Sequence, residues 1–498
     1  MRQALGLILT FLLCGSGCAG AAQPKSAASS PSGAAKTASA VPASEPYPST
    51  YRPVPSEVTL IRGATVLTGV GPRIENGSVL LRDGKVEAVG ASIEAPAGAT
   101  VIDARGKWVT PGIIDIHSHL GVYASPGLEA HSDGNEATEP VTADVRAEHS
   151  IWPQDPQFPL ALAGGVTSML ILPGSANLIG GVGVTVKNVP ARTMQAMKFP
   201  GAPYALKMAC GENPKRVYGG KGRMPSTRMG NLAATREAWI EATHYRKEWQ
   251  GYQDKIARGK KGRDGEDPEP PERDLEKETL AKVLSGEILV QNHCYRADEM
   301  ANMIDQAKEF GYKITAFHHA VESYKIADLL AKEGICSAMW ADWWGFKMEA
   351  FDGIRENVAL IDRAGACAIV HSDSADGIQR LNQEAAKAMA AGNRLARDEA
   401  AAGRPAGKKF TEEDAIRWIT INPAKAMGIG DRTGSLEPGK MADVVIWSGD
   451  PFSVYAQAEQ VFVDGARLYD RNDPARQPRT DFELGLRDAR TGFSGGGH

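Results

Sequence analysis

The chain has 498 residues, of which 42% are hydrophobic and 23% are charged, and its formal net charge is -4. This length and apolar fraction permit a large buried core, either in roughly two to three domains or in one large barrel with additions. Positive and negative residues are intermixed, so no basic surface suited to a phosphate backbone is predicted and nucleic acid is excluded as a partner. A small polar substrate fits this charge balance better.

Residues 1–21 are predicted to be an export signal peptide. Arg2 precedes an apolar stretch from Ala4 to Cys14, which is too short to span a bilayer stably, and small residues follow it. Residues 16–18, Ser-Gly-Cys, resemble a bacterial lipobox, which would place a lipid on Cys18 and attach the protein to a membrane. The alternative is simple cleavage after Ala21. Both alternatives predict export from a bacterial cytoplasm, as a periplasmic protein or as a membrane-anchored lipoprotein.

Residues 22–55 consist mainly of Ala, Ser and Pro and contain almost no large apolar side chain. Such a segment cannot bury enough surface to offset its ordering entropy, so it is predicted to be a disordered tether. At the other end of the chain, residues 476–498 are predicted to be a C-terminal tail.

Short β-rich runs and turns follow the tether and return near the C-terminus. These runs cover residues 58–63, 78–84, 85–90, 442–447 and 459–465. Asp83-Gly84 is a strong hairpin signal between two of them. The same pattern at both ends predicts one small β-domain made from residues 56–110 and 434–475.

The middle of the chain repeats a unit in which a helical stretch ends in Gly and a strand-length apolar run follows. The glycines of the four units are Gly165, Gly311, Gly334 and Gly365. Glycine takes the left-handed position after a helix, so these units predict alternating helices and strands, which form a parallel sheet. Spacing alone leaves a doubly wound sheet and a barrel as alternatives.

A charged segment at about residues 244–278 interrupts this pattern, and we expect an exposed insertion that is helical at both ends. The four cysteines of the body, Cys210, Cys294, Cys336 and Cys367, are interpreted as small buried residues. A disulfide among them stays open, but their spacing indicates none.

His117 and His119 lie at the end of an apolar strand-like run. Alternate side chains of a strand share one face, so the two imidazoles can converge on one point. Other candidate ligands also follow predicted strands: His293, the pair His318 and His319, and Asp373. The carboxyl ends of parallel strands carry the chemistry in α/β folds, so these residues predict a metal site.

This order of ligands, bracketed by the split β-domain, resembles the amidohydrolase superfamily of metal-dependent hydrolases, in its imidazolonepropionase- and prolidase-like branch. The supporting phrases include VTPGIIDIHSH at 109–119, AGGVTS at 163–168 and NPAKAMG at 422–428, and the resemblance covers about residues 58–470. It implies an α/β fold with a distorted (β/α)8 TIM barrel over residues 111–433 and a small split β-sandwich domain.

The resemblance also implies roles for single residues. His117 and His119 would hold one metal ion, and His293 with one of His318 and His319 would hold a second. We expect His319 to be the ligand and His318 to be a neighbour oriented toward the substrate. Asp373 would bind metal and carry the catalytic proton.

The bridging ligand has two candidates. Strand alternation over residues 204–210 points Lys207 into the barrel, where a neutral lysine can take up carbon dioxide and form a carbamate. Glu212, just past the strand, is the rival carboxylate ligand. A mononuclear site stays open as a third alternative.

The resulting function is hydrolysis of a carbon-nitrogen bond in an amide, a cyclic amide or a dipeptide, through a metal-activated water. One or two divalent ions are expected; zinc suits these ligands best, and iron, nickel and manganese are alternatives. Arg228, Tyr295 and Arg296 are expected to contact the substrate. A deaminase and a non-catalytic binding lipoprotein are the competing functions, and pairing of subunits stays open.

Overall fold

The computed structural model describes residues 47–259, 261 and 265–478 of the chain. Within these residues it has sixteen β-strands and ten α-helices. The strands are β1 (Thr59–Val66), β2 (Ile74–Arg82), β3 (Lys85–Gly90), β4 (Thr100–Asp103), β5 (Trp108–Pro111), β6 (Ile113–Ser118), β7 (Val166–Ile171), β8 (Ile179–Lys187), β9 (Ala205–Ala209), β10 (Leu289–Cys294), β11 (Ile314–His319), β12 (Cys336–Met339), β13 (Cys367–Val370), β14 (Val444–Trp447), β15 (Ala458–Val463) and β16 (Ala466–Asp470). The helices are α1 (Gln157–Ala163), α2 (Glu212–Gly219), α3 (Arg228–Ala257), α4 (Leu275–Leu284), α5 (Ala297–Phe310), α6 (Ala327–Glu333), α7 (Asn357–Arg363), α8 (Leu381–Ala401), α9 (Glu412–Trp418) and α10 (Ile421–Ala426).

One sheet combines strands from both ends of the chain. Its order is β16-β15-β14-β5-β1-β2-β3, with β4 also paired to β1. The two ends join where β14 pairs antiparallel with β5, and Trp447 there donates a hydrogen bond to Thr110. Asp83 and Gly84 form the predicted hairpin turn, with φ values of 50° and 73°. The predicted split β-domain is therefore confirmed.

The second sheet is the barrel, in the order β13-β12-β11-β10-β9-β8-β7-β6. Its strands are buried on both faces, as expected for strands covered by helices. Neighbouring strands are parallel except at β8, which is antiparallel to both β7 and β9. The predicted distorted barrel is confirmed, and its distortion lies at β8, which follows β7 without an intervening helix.

The four predicted helix-to-strand junctions are present. Gly165, Gly311, Gly334 and Gly365 all have positive φ values, and they precede β7, β11, β12 and β13. At Gly311 and Gly334 the chain takes the left-handed conformation directly after α5 and α6. A side chain would be strained there, which is why glycine marks these junctions.

The barrel closes between β6 and β13 through a buried side chain. Asp115 Oδ1 accepts hydrogen bonds from the backbone N–H groups of His117 at 3.1 Å and Ser372 at 3.2 Å, and its Oδ2 accepts from the Ser372 hydroxyl. The N–H of Asp373 donates to the carbonyl of His117 at 3.1 Å. Burial raises the pKa of Asp115 to about 7, although these hydrogen bonds oppose that shift. The contacts join two strand ends that lie far apart in the sequence.

The predicted tether is too long at its C-terminal end. Ser49 Oγ donates to the carbonyl of Lys198 at 2.6 Å, and Lys198 Nζ donates to the carbonyl of Tyr47 at 2.7 Å. The Tyr51 hydroxyl donates to Asp464 of the β-domain. These polar contacts, with partial burial of Tyr51, order the segment that composition alone assigned to the tether. The predicted signal peptide, Cys18, the tether up to residue 46 and the tail from residue 479 lie outside the described residues.

The charged insertion is only partly exposed. α3 and α4 flank its loop, as predicted, but Tyr245, Trp249 and Ala281 pack into a buried apolar cluster between the two helices. The described residues of the loop from 258 to 274 are mostly exposed. The prediction of an exposed insertion is therefore corrected to an exposed loop between packed helices.

Two disulfides correct the interpretation of the cysteines as unpaired buried residues. Cys210 is bonded to Cys294 and Cys336 to Cys367, with Cα–Cα distances of 5.2 Å and 4.4 Å. Each bond joins neighbouring strands of the barrel, β9 with β10 and β12 with β13. Spacing along the chain carries no information on this proximity. In the described part of the chain, no helix combines the length and the apolar character needed to cross a bilayer.

A buried ion cluster connects the barrel to the β-domain. Lys187 of β8 is fully buried, and its Nζ lies 2.8 Å from Asp443 Oδ1 and 3.1 Å from Asp464 Oδ1. Asp443 also accepts hydrogen bonds from the Thr433 hydroxyl and from the backbone N–H of Asp464. A buried ammonium group needs this set of partners because it has lost its water.

We predict that Asp443→Ala lowers the free energy of unfolding by about 3 kcal/mol, because it leaves the charge of Lys187 undercompensated in the interior. Urea denaturation followed by tryptophan fluorescence measures the change. The matched control is Asp103→Ala, which breaks an exposed pair with Arg105 and should leave the unfolding midpoint nearly unchanged. Equal effects of the two substitutions would contradict a structural role for the cluster.

Candidate metal centre

A cavity of about 530 Å³ opens at the carboxyl ends of the barrel strands. Chemically, its lining combines imidazoles, carboxylates, amides and two cationic side chains. From the predicted set, the lining includes His117, His119, Glu212, His293, Tyr295, His319 and Asp373. The fold thus brings most of the predicted site residues to one place, although they come from four strand ends and one helix.

A chain of hydrogen bonds sets the tautomer of His117. Gln291 Nε2 donates to the carbonyl of Ala426 at 3.2 Å, which turns Gln291 Oε1 toward His318 Nε2 at 2.7 Å. His318 Nε2 therefore carries a proton and donates it. His318 Nδ1 is then the acceptor for His117 Nδ1–H at 2.8 Å. The remaining nitrogen of His117, Nε2, presents a lone pair to the cavity.

His119 is oriented in the same way by the backbone. Its Nδ1 lies 2.8 Å from the carbonyl of Leu172, so Nδ1 donates and Nε2 presents a lone pair. The two Nε2 atoms are 3.3 Å apart, and Asp373 Oδ1 lies 3.4 Å from His117 Nε2 and 3.2 Å from His119 Nε2. Three acceptor atoms thus converge without a hydrogen between them, an arrangement that a divalent cation satisfies.

A second group of histidines lies beside the first. Both ring nitrogens of His293 and the Nδ1 of His319 are buried, and neither side chain has a hydrogen-bond partner for these atoms among the described residues. Burial lowers the pKa of each imidazole well below its usual range, so both rings are neutral. Buried neutral nitrogens without partners fit a second cation, because an unpaired buried polar atom is otherwise costly.

The structure distinguishes between His318 and His319. His318 lies on the inward face of β11, next to His293 of β10 in the strand register. Both of its ring nitrogens are occupied by hydrogen bonds, one with Gln291 and one with His117. His319 has a left-handed φ of 67°, which ends the strand alternation and turns its ring to the cavity. The expectation that His318 faces the substrate is therefore corrected. His318 instead accepts a hydrogen bond from His117 and so orients that ring.

The two candidate bridging residues lie in different surroundings. Lys207 is fully buried on the inward face of β9, where its Nζ donates to the carbonyl of Pro173 at 2.9 Å. Burial lowers the pKa of Lys207 to about 8. The pKa of His117 is lowered first by the burial of His117 itself and next by the charge of Lys207. Glu212 lies at the wall of the cavity, 3.6 Å from Lys347 Nζ, and belongs to neither acceptor group.

Two predicted substrate contacts lie elsewhere. The Arg228 guanidinium is paired with Glu299 at 2.8 Å and with Glu349. Arg296 is paired with Asp298 at 2.9 Å. Neither arginine lines the cavity, so the structure corrects the expectation that they contact the substrate.

Tyr295 does line the cavity. Its ring stacks on His319 with a centroid distance of 5.2 Å, and Lys347 Nζ lies 3.9 Å from the centroid of the tyrosine ring. Tyr295 thus forms an aromatic wall between the metal-ligand candidates and a cationic side chain.

Several residues of the site escaped the sequence prediction. Asp115 and Gln291 stand two positions before His117 and His293, so the strand alternation that pointed to the histidines also places these side chains inward. His371 accepts a hydrogen bond from the N–H of His319 at 3.2 Å and groups with His117 and His319 as a potential ligand. Lys347, from the loop after β12, carries no sequence signal at all.

A barrel that carries candidate metal ligands at its strand ends, joined to a split β-domain, points to a class of barrel hydrolases. Comparisons with known proteins agree with this class. The model of the Amidohydrolase family matches residues 319–469. A solved amidohydrolase from Thermotoga maritima MSB8 is 36% identical, with a TM-score of 0.73, and the match covers 83% of this chain and 100% of that one. The chain therefore belongs to the amidohydrolase family of enzymes, as the sequence predicted.

Two curated relatives match over most of this chain. An amidohydrolase from Hapsidospora irregularis is 34% identical over 444 residues, which are 83% of this chain but only 43% of that protein. An imidazolonepropionase from Mesorhizobium japonicum is 26% identical over 427 residues, covering 78% of this chain and 90% of the relative. The chain thus spans less than half of the first relative and nearly all of the second.

We predict that Gln291→Leu lowers the affinity for metal about 10- to 100-fold, because His318 loses the acceptor that fixes its tautomer and thereby that of His117. Competition with a chromogenic chelator measures this affinity. Gln291→Glu, which keeps an acceptor oxygen at the same place, is the matched control and should retain most of the affinity. If the leucine variant bound metal as tightly as the wild type, the hydrogen bonds from Gln291 through His318 to His117 would have no role in metal binding.

Proposed function

We propose that this protein is a metal-dependent hydrolase that cleaves a carbon-nitrogen bond in a small amide, a cyclic amide or a dipeptide. One observation carries the proposal: the lone pairs of His117 and His119 and a carboxylate oxygen of Asp373 converge within 3.4 Å of one another. His293 and His319, which line the same cavity, have buried ring nitrogens with no hydrogen-bond partner in the described part of the chain. The relatives named amidohydrolase and imidazolonepropionase support the same class of reaction.

A divalent cation at this site would lower the pKa of a bound water to near 7 and would polarise the carbonyl group of a substrate. Asp373 is the base that the chain supplies. Burial by itself would raise the pKa of Asp373, but the contacts with His119, His371 and Lys207 outweigh burial. The pKa is therefore lowered from its ordinary value, and the carboxylate is ionised at neutral pH. It can accept the proton of the attacking water and deliver it to the leaving nitrogen.

The surroundings of Asp373 favour this role. Its backbone N–H is held by the carbonyl of His117, and a left-handed φ of 50° turns its side chain toward the two histidines. The carboxylate lines the cavity, so it can reach a bound substrate. Tyr295 and Phe346 line the same cavity and give it an aromatic wall.

Zinc is the metal we propose, in one or two ions, because imidazole nitrogens and carboxylate oxygens suit it. We further propose that Lys207 is carbamylated, and its carbamate would be a shared ligand when two ions are bound. Its pKa of about 8 leaves part of the amine neutral, and the neutral Nζ can bond to the carbon of carbon dioxide with loss of one proton. Lys207 is buried and lies close enough to His117, His293 and His319 for its charge to lower their pKa values, which supports this choice over Glu212, which is held near Lys347.

Export is also proposed, with a signal peptide and either a lipid on Cys18 or cleavage after Ala21. The two disulfides support this proposal, because such bonds persist mainly in oxidising compartments. Labelling with radioactive palmitate in a bacterial host distinguishes the two forms of the mature protein. Label that disappears in Cys18→Ala would establish the lipoprotein, and label in neither protein would leave simple cleavage.

Metal content measured by elemental mass spectrometry tests the site. We expect about one to two zinc ions per wild-type chain. His117→Ala should remove most of the metal and Lys207→Ala about one ion, whereas Glu212→Ala should change little. The control is His244→Ala, an exposed histidine of α3 outside the cavity, which should retain all of it. A wild-type protein that binds no metal after supplementation with zinc, manganese and bicarbonate would overturn the proposed function.

Asp373→Asn tests the reaction itself. Because the amide cannot accept the proton, we expect hydrolysis to fall about 100- to 10,000-fold while the protein stays folded. Release of ammonia from ring amines, with no cleavage of amides, would instead identify a deaminase. Ligand binding without any turnover would identify a binding protein.

A further inference from the structure

The helix α2 presents one face to the cavity. Its cavity-lining residues are Glu212, Asn213, Arg216 and Val217, spaced as neighbours on one side of a helix. The opposite face is fixed to the protein, because Pro214 and Tyr218 are buried and the Tyr218 hydroxyl donates to the carbonyl of Glu139 at 2.5 Å. Arg216 therefore lies on the cavity wall by the orientation of its helix.

Two cationic side chains line the cavity, Lys347 and Arg216. Lys347 is occupied: its Nζ lies 3.6 Å from both Glu212 and Glu349, and 3.9 Å from the ring centroid of Tyr295. Arg216 differs, because no side chain among the described residues forms an ion pair or a hydrogen bond with its guanidinium group. It is the cation at this cavity that is left to bind a ligand.

The position of Arg216 suits the end of a substrate that is not cleaved. Four residues of an α-helix advance by about 6 Å, so Arg216 lies one helical turn along α2 from Glu212, which comes shortly after the end of β9. Val217, Phe346 and Tyr295 also line the cavity and form an apolar part of its wall. A substrate that extends from Asp373 along this wall would bring its distal group to the guanidinium.

We propose that Arg216 is a specificity-determining residue that binds a free carboxylate of the substrate. A guanidinium group pairs with a carboxylate through two parallel hydrogen bonds, which gives orientation as well as affinity. The substrates are then N-acyl amino acids or dipeptides with an apolar residue next to the free carboxylate, rather than neutral amides. This inference rests on the proposed function and specifies its substrate class.

The test compares acids with their neutral amides. The probes are N-acetyl-L-leucine, N-acetyl-L-phenylalanine, alanyl-leucine and alanyl-phenylalanine, each with its C-terminal carboxamide, on zinc-loaded full-length protein. We expect the wild type to prefer the acids, and Arg216→Met to lower kcat/KM for the acids about 10- to 100-fold, mainly through KM. The carboxamides should be hydrolysed equally by both proteins.

Two variants separate recognition from general effects of charge or folding. Lys215→Met removes a neighbouring positive charge of α2 that does not line the cavity, and it should keep the preference for acids. Arg216→Lys keeps the charge but not the two-pronged geometry, and it should restore part of the preference. Metal content should be the same in all four proteins.

An Arg216→Met variant that keeps the wild-type preference for acids would overturn the inference and leave the proposed hydrolase in place. A wild type that hydrolyses acids and carboxamides equally would do the same. Hydrolysis of neither set by a zinc-containing wild type would reject this substrate class, and with it the role of Arg216. Absence of metal binding, measured separately, would also overturn the proposed function.

Discussion

The structure depends on the buried carboxylate of Asp115. It receives hydrogen bonds from β6 and from the residues after β13, and Ser372 lies 257 positions from Asp115 in the chain. Among the described strands, β6 and β13 are the neighbours in the barrel that do not pair as strands, and Asp115 joins them there. The same contacts set the backbone of His117 and Asp373 side by side. The same contacts therefore close the barrel and assemble the candidate site, because the residue that joins the strands also positions the candidate ligands.

A second constraint acts on the ring protons of the histidines, whereas the contacts of Asp115 act on the backbone. The contacts from Ala426 through Gln291 and His318 leave His117 Nε2 without a proton, and the carbonyl of Leu172 does the same for His119 Nε2. A cluster of histidines at a strand edge has many tautomers in principle. This interior selects one set, in which acceptor atoms face the cavity, and that selection distinguishes a metal centre from ordinary packing of imidazoles.

The ligand candidates could be predicted because strand alternation and strand ends are local properties. His117 and His119 share a face by their spacing, and His293 and Asp373 follow apolar runs. The same rule places Asp115 and Gln291 inward, although their role depends on partners from β13 and α10. The predicted substrate contacts of Arg228 and Arg296 are wrong for a different reason. Arg228 is neutralised by carboxylates of other elements, Glu299 and Glu349, and Arg296 by its near neighbour Asp298.

The alternation of helices and strands, the split β-domain and the kinds of ligand could all be predicted, because periodicity, glycine positions and residue chemistry follow directly from the order of residues. Three further outcomes follow from the fold: His319 rather than His318 reaches the cavity, Lys207 lies close enough to the buried histidines to lower their pKa values, and four cysteines form two disulfides. Each of these outcomes depends on a local turn of the backbone or on which strands become neighbours. Such distances arise from folding in three dimensions, and no spacing in the sequence specifies them.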